Sequence, residues 1–315
     1  MLMIDFINVG YGDAILLRER PASGKNFTML VDCGGTSTEA TEPGSKRISS
    51  ADFLEKEGID RLDLLVITHL HLDHSGGLLR LLSQVDISQL WCNYVSEPAL
   101  WGRQVQVSSF FSAGAKHLLD SINIYSHALN TLSGKDATIR CIQTDQPRLY
   151  LSEELYVYAF CEEVNSRQLE IWQHTLDGQV TGEELDDLDE FINDTSLRLR
   201  IVYAGRSIEL PGDFSAARWE QYEQPECCIM KLPHHGHADS LTEPLAARLR
   251  ADYTVVSVSN DRTDHCPAGE IAALAKRYSP HLLFTDAVTL PGISPVHHES
   301  VRFYIAGDGT ITLEE

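Results

Sequence analysis

Six consecutive residues, His69-Leu70-His71-Leu72-Asp73-His74, place three imidazoles and a carboxylate within one short stretch. In extended chain, residues two apart point the same way, so His69 and His71 can grip one ion. A following turn swings Asp73 and His74 toward a second. Imidazole nitrogen and carboxylate oxygen are the ligands that divalent cations such as Zn2+ take from proteins. The spacing therefore predicts two adjacent metal sites.

Further downstream are other groups of the same chemistry. Pro211-Gly212-Asp213 puts a carboxylate on a tight turn, and Pro233-His234-His235-Gly236-His237 puts three imidazoles at another turn. The loop 259–265 ends in Asp264-His265, and Asp13 sits between Gly12 and Ala14. Asp13 either orients a ligand or bonds to its own turn backbone. His117, His127, His174 and the pair His297-His298 have no such setting and read as surface or core-edge side chains.

These residues need elements to hold them. The apolar run 62–68 reads as a buried strand and 78–82, after two glycines, as a helix, so the histidine motif lies on a strand-to-helix loop. Residues 3–9 and 13–19 read as a hairpin, 27–32 as a third strand and 87–92 as a fourth. A polar loop over 36–46 leads to a helix over 49–57 with Ser49 or Ser50 as cap. Apolar residues recur at three and four over 105–132, predicting one long helix or two. Strands are expected at 137–142, 155–160, 197–203, 207–210, 227–232, 253–258, 281–285, 301–305 and 310–313, with helices at 216–222, 241–249 and 267–277. The hairpin of 197–203 with 207–210 delivers Asp213, and the strand 227–232 delivers His234 and His235. The βαβ rhythm indicates parallel strands with helices outside.

A chain of 315 residues with 43% hydrophobic content suits one large α/β domain, here taken as 1–315, with an insertion. No run reaches the roughly 18 apolar residues of a membrane span, and the start of the chain lacks a leader pattern, so a cytoplasmic protein without membrane contact is expected. Seven scattered cysteines without a CxxC pair suggest reduced thiols. The formal net charge is −21, against the grain for a protein that approaches phosphodiesters. Thirteen Asp/Glu against one Arg between Glu153 and Asp194 account for −12 of it. That block reads as an acidic helical insertion at about 161–194, either a solvated face or a docking surface for a basic partner. No cluster of Lys/Arg with interleaved aromatics appears in the sequence.

The stretch 69–74 resembles the HxHxDH loop of the metallo-β-lactamase superfamily. Val9-Gly-Tyr-Gly-Asp-Ala14, Val31-Asp-Cys-Gly-Gly35, Pro211-Gly-Asp213, Leu232-Pro-His-His-Gly236 and Asp264-His-Cys-Pro267 resemble, in order, the nuclease-like domain of the ComEC/Rec2 competence proteins. His237 stands where that pattern has serine, and Cys266 separates His265 from Pro267. The resemblance implies an αββα sandwich, two mixed β-sheets flanked by helices. It further implies two divalent ions, Zn2+ or Mn2+, the first held by His69 and His71 and the second by Asp73, His74 and His234 or His235. Asp213 would bridge them. The superfamily's third histidine of the first site has no counterpart here, so water, Asn193 or Asp194 fills that vertex. Asp73, His237 and His265 are the candidate catalytic groups. The function implied is a metal-dependent phosphodiesterase, a nuclease acting on DNA with a partner supplying basic surface. A hydrolase of a small phosphodiester, lactone or thioester is the alternative, and a non-catalytic scaffold the weakest reading.

Overall fold

Every residue of the strand Leu2–Ile7 is buried, because it runs through the middle of a sheet covered on both faces. Leu2, Ile4 and Phe6 point between two sheets, while Ile7 belongs to the core on the outer side. The computed structural model that shows this describes residues 1–38, 44–162, 166–223 and 225–314. Residues 39–43 of the expected loop and 163–165 of the expected insertion lie outside the described residues.

The first sheet has eight strands in the order Ile311–Leu313, Ser300–Ile305, Leu2–Ile7, Ile15–Glu19, Phe27–Val31, Leu64–Val66, Gln89–Cys92 and Thr138–Cys141. Its first five strands pair antiparallel and its last four parallel. The second has seven, in the order His281–Phe284, Tyr253–Val256, Ile229–Lys231, Arg206–Leu210, Arg198–Tyr203, Leu155–Phe160 and Gln146–Tyr150, again half parallel and half antiparallel. The strand Gln146–Tyr150 has no counterpart in the sequence reading; Pro147 and the polar run around it gave no alternation to detect.

Three apolar cores stack through the molecule. The middle one lies between the sheets and joins Leu2, Ile4, Phe6 and Val66 to Leu155, Leu199, Ile208 and Val255. Phe6 and Phe303 meet edge to face at 6.0 Å there. An outer core on the first sheet takes in the helices Ser50–Lys56, Leu78–Gln84 and Ala113–Gly134, and one on the second takes in Glu243–Leu249 and Gly269–Tyr278. The arrangement is the αββα sandwich of two mixed sheets.

Two expectations change in detail. The long helix begins at Ala113, capped by Ser112, rather than near 105. The acidic segment forms the helices Ser166–Leu176 and Gly182–Ile192, whose Ile171, Trp172, Leu185, Leu188 and Ile192 enter the same core as Ala113–Gly134. Acidic residues occupy one side of the latter helix and apolar residues the other, so a run that reads as solvated is half core. Among the described residues no helix is long and apolar enough to cross a membrane. All seven cysteines are free thiols.

Candidate metal centre

The parallel strands of both sheets run the same way, and the loops that follow them open on one edge of the sandwich. Loop 67–71 leaves Leu64–Val66, 211–213 leaves Arg206–Leu210, 232–235 leaves Ile229–Lys231, and Asp32 ends Phe27–Val31. Sites in open α/β sheets form at such carboxyl ends. His71 caps the short helix Leu72–Ser75, and that turn separates the direction of His69 and His71 from that of Asp73 and His74.

Backbone must come very close for this. A Cβ on Gly12, at φ +130°, would lie 2.2 Å from the Asp73 carbonyl oxygen, and one on Gly77 would lie 2.3 Å from that of Cys33. Only glycine allows the loop to seat there. His234 and His235 both adopt left-handed backbone, at φ 46° and 50°, a conformation that costs of order 1–3 kcal/mol at a non-glycine residue and concentrates at functional sites.

The side chains converge. His74 Nε2 lies 3.5 Å from Asp73 Oδ2 and 3.2 Å from Asp213 Oδ2, while His235 Nε2 lies 3.0 Å and 3.4 Å from the same two oxygens. Asp73, His74, Asp213 and His235 thus form one group able to surround an ion. His69 Nε2 is 3.9 Å from Asp213 Oδ2 and 3.2 Å from His71 Nδ1.

With every imidazole neutral, donor accounting makes these atoms all acceptors. Thr68 Oγ1 donates to Asp32, so its lone pair accepts from His69 Nδ1 at 3.1 Å and leaves His69 Nε2 without a proton. His71 Nε2 donates to Asp189 at 3.1 Å, which leaves Nδ1 bare as well. His74 Nδ1 donates to Asp32 at 2.8 Å and His235 Nδ1 to the Ser257 carbonyl at 3.0 Å. Four imidazole lone pairs and two carboxylates therefore face one another, and His74 Nε2 is buried with no hydrogen-bond partner. Lone pairs held this close repel unless cations or protons lie between them. The donor set fits divalent ions.

Protons are the other way to relieve that repulsion. Burial pushes His74 and His235 down, but the surrounding carboxylates, Asp213 first, outweigh it, lifting His74 well above its ordinary value and His235 to about 9. Burial and the neighbouring His74 push His69 well below. Asp213 and Asp73 are held low despite burial by His74 and His235.

Beneath the group lies Lys231, fully buried, donating to Asp13 Oδ2 at 2.6 Å, Asp213 Oδ1 at 3.2 Å and the Gly212 carbonyl at 3.1 Å. Lys231 is the counter-charge under the carboxylates. Its use of Asp213 Oδ1 leaves Oδ2 free to face the histidines.

Of the adjacent histidines, His235 enters the cluster and His234 does not. His234 faces the mouth, with Nδ1 donating to Asp239 at 3.0 Å, Nε2 accepting from Asn193 at 3.3 Å and its ring stacked 4.2 Å from His237. His237 is 3.2 Å from the Tyr11 hydroxyl, and the Tyr11 ring lies 4.5 Å from that of His235. His265 is exposed and outside the cleft wall, because left-handed residues at 262, 264 and 265 reverse the chain there; Thr263 and Asp264 line the wall instead. Asp194 is taken up by Ser215 and Arg218, and His174 by Glu184, so neither reaches the first site. Asn193 lines the cleft with its Oδ1 buried and unpartnered.

The cleft measures about 650 Å³ and is lined by Asp73, Asp189, Asp213 and Asp264 together with His71, His117, His234 and His237, and no Lys or Arg among the described residues. Asp189, Tyr11 and Thr68 were not singled out from sequence. Asp189 sits within an acidic helix whose composition alone suggests solvent, and nothing local marks which of its carboxylates turns inward.

Residues 7–147 match the model of the family described as the Metallo-beta-lactamase superfamily. ComE operon protein 3 of Bacillus subtilis (strain 168) is 24% identical over 297 residues, which cover 90% of this chain and 32% of that protein, so the chain spans about a third of that relative's length. Among solved structures, the metallo-beta-lactamase fold protein YhfI from Bacillus subtilis aligns at 10% identity and a TM-score of 0.46 over 93% of this chain and 98% of its own. A metallo hydrolase from the archaeon Ignicoccus hospitalis KIN4/I aligns at 14% identity and a TM-score of 0.46 over 96% of this chain and 100% of its own.

Proposed function

We propose that this chain, whose residues 7–147 match the Metallo-beta-lactamase superfamily model, is a metal-dependent hydrolase that cleaves phosphodiester bonds in DNA. The observation that carries the reading is the position of Asp213 Oδ2, which lies within 3.9 Å of three histidine Nε2 atoms, those of His69, His74 and His235. One oxygen shared in this way suits a carboxylate between two cations. His69, His71 and Asn193 would hold the first, Asp73, His74 and His235 the second, and Asp213 both. Divalent ions, when bound, supply Lewis acidity and a hydroxide-generating centre near neutral pH.

The chain's own residues do the rest. Asp32 holds His74, and Asp189 holds His71, in the tautomers that leave ligating lone pairs free. Lys231 offsets the carboxylate charge. Burial, with Asp73 and Asp213 nearby, drives the Tyr11 phenol far above its ordinary value, so it stays protonated and, with His237, places a proton donor at the mouth. DNA as substrate is supported by the resemblance of residues 9–14, 31–35, 211–213, 232–236 and 264–267 to the nuclease-like domain of the ComEC/Rec2 proteins. A basic partner docking on the exposed acids of 153–194 belongs to the same reading.

One observation favours a smaller substrate. The cleft wall carries acids and histidines but no Lys or Arg among the described residues, which suits a small phosphodiester, lactone or thioester better than a polyanion. The deciding experiment is elemental analysis of untagged protein, paired with cleavage of single- and double-stranded DNA in Mn2+, Mg2+ and Zn2+. Two ions per chain, and cutting that vanishes in His69→Ala and Asp213→Asn, support the nuclease. Two ions without cutting move the reading to the small substrate, and no bound metal overturns both.

A further inference from the structure

We propose that the outer face of the second sheet, where Gln146–Tyr150, Leu155–Phe160 and Arg198–Tyr203 lie side by side, binds single-stranded DNA by stacking its bases on a row of aromatic and arginine side chains. The proposal rests on the reading above for the choice of polymer, while the face itself lies outside the metal cleft.

The face follows from strand alternation. Leu155, Val157, Ala159, Leu197, Leu199 and Ile201 point into the core between the sheets, so Tyr156, Tyr158, Phe160, Arg198 and Arg200 point the other way. On the edge strand Leu149 packs inward, which turns Arg148 and Tyr150 outward. The outer core on this sheet, built from residues 214–290, leaves Gln146–Tyr150 and Leu155–Phe160 uncovered and reaches only Arg198–Tyr203, where Phe214 and Tyr222 lie against Arg198.

Four rings run across it in sequence. Tyr150 and Tyr156 are 5.7 Å apart, Tyr156 and Tyr158 5.9 Å, and Tyr158 and Phe160 6.3 Å. Arg148 lies 4.4 Å over Tyr156 and donates to the hydroxyls of Tyr158 and Tyr150. Arg198 lies 4.3 Å from the rings of Phe214 and Tyr222 and 5.4 Å from Phe160.

Both arginines are unusual here. In a chain with 46 Asp/Glu against 25 Lys/Arg, neither Arg148 nor Arg198 pairs with a carboxylate among the described residues. Arg198 is 4% exposed, and its Nε and Nη2 have no hydrogen-bond partner although they border a cleft of about 470 Å³. A buried guanidinium without acceptors is costly, and a ligand bringing base or phosphate acceptors relieves that cost. Of the acids lining this cleft, Glu209 is paired with Arg200 at 2.5 Å and Asp145 accepts the Cys161 N–H at 3.1 Å, leaving Glu223 at the exposed rim.

Flat rings and guanidinium planes offer stacking surface to any base whose face is free, which a duplex does not present. Few phosphates are neutralised, so binding should depend weakly on salt, with a logarithmic slope of roughly −1 to −2 for two or three contacts. The rings come from one hairpin and the two arginines from separate strands, so the face exists only once the sheet has formed.

The test is fluorescence anisotropy with a labelled oligodeoxynucleotide of about 12 nucleotides, a length within the site sizes of such surfaces, on the full chain and on its Asp213→Asn variant. Single strands should bind at least roughly tenfold tighter than the duplex. Arg148→Ala and Tyr150→Ala, both at exposed positions, should each weaken binding about fivefold or more. Asp264→Asn in the metal cleft should leave it unchanged. Absence of single-strand binding, or binding indifferent to Arg148 and Tyr150, overturns the proposal. So does full displacement by inorganic phosphate or a mononucleotide with the oligonucleotide's own affinity, which would make this a small-anion pocket. Cleavage without face-dependent binding sinks the face alone; face-dependent binding without cleavage sinks only the nuclease.

Discussion

The Lys231 ammonium lies 2.6 Å from Asp13 Oδ2 with neither side chain more than 2% exposed, directly beneath the carboxylate that faces three histidines. A cation built from the chain itself thus holds the floor of the centre together. In Lys231→Met, Asp13 and Asp213 would lose the ammonium that pairs with both, and breaking a buried pair in this way costs roughly 3–5 kcal/mol. Urea unfolding in the presence of chelator should show that loss, and added Mn2+ or Zn2+ should recover part of it. Equal stability of variant and parent in chelator would refute the role.

Asp189 acts on the first site through His71. Removing a carboxylate that orients a ligating histidine usually lowers metal affinity 10–100-fold. In Asp189→Ala, competition with a chromophoric chelator should show that loss for one ion while the other binds as before. Equal weakening of both ions would mean that the helix Gly182–Ile192 had shifted as a whole.

Metal uptake should release protons. In the metal-free protein His235 keeps its proton up to about 9, and His74 is also held above its ordinary value, whereas His69 is already neutral. An ion entering the second site must displace those protons, so affinity should rise with pH from 6 toward 9, roughly tenfold per unit for each proton displaced, and then level. Calorimetry at pH 7 in buffers of different ionisation enthalpy should detect the release. A pH-independent affinity would rule the account out.

Tyr11 meets His237 at the mouth and sets its ring, tilted by 45°, against that of His235. If the pair places a proton on the leaving oxygen, Tyr11→Phe should lower kcat by about 10²-fold with little change in KM, the lower end for a general acid. A variant with raised KM and unchanged kcat would instead make Tyr11 a substrate contact.

Some of this was written locally in the chain. The run 62–68 followed by His69-Leu70-His71-Leu72-Asp73-His74 and two glycines specifies a strand, a ligand loop and a helix by nearest-neighbour preferences alone, and the structure puts the loop where that reading did. Alternation likewise announced Leu155–Phe160 as a strand to the residue. Local pattern does not carry the direction of one side chain among several alike. His234 and His235 are neighbours of identical chemistry, and successive left-handed residues at a strand exit decide which of them joins the carboxylates. Lys231 reads as any lysine until Asp13, 218 positions earlier, is folded against it. Arg148 and the tyrosines of the outer face come from one hairpin, but only the pairing of a third strand brings the distant Arg198 beside them. Residue type and spacing determined which chemistry the chain can attempt. Long-range packing decided which atoms face one another, because donor–acceptor balance and burial are properties of the assembled sheets and not of any segment.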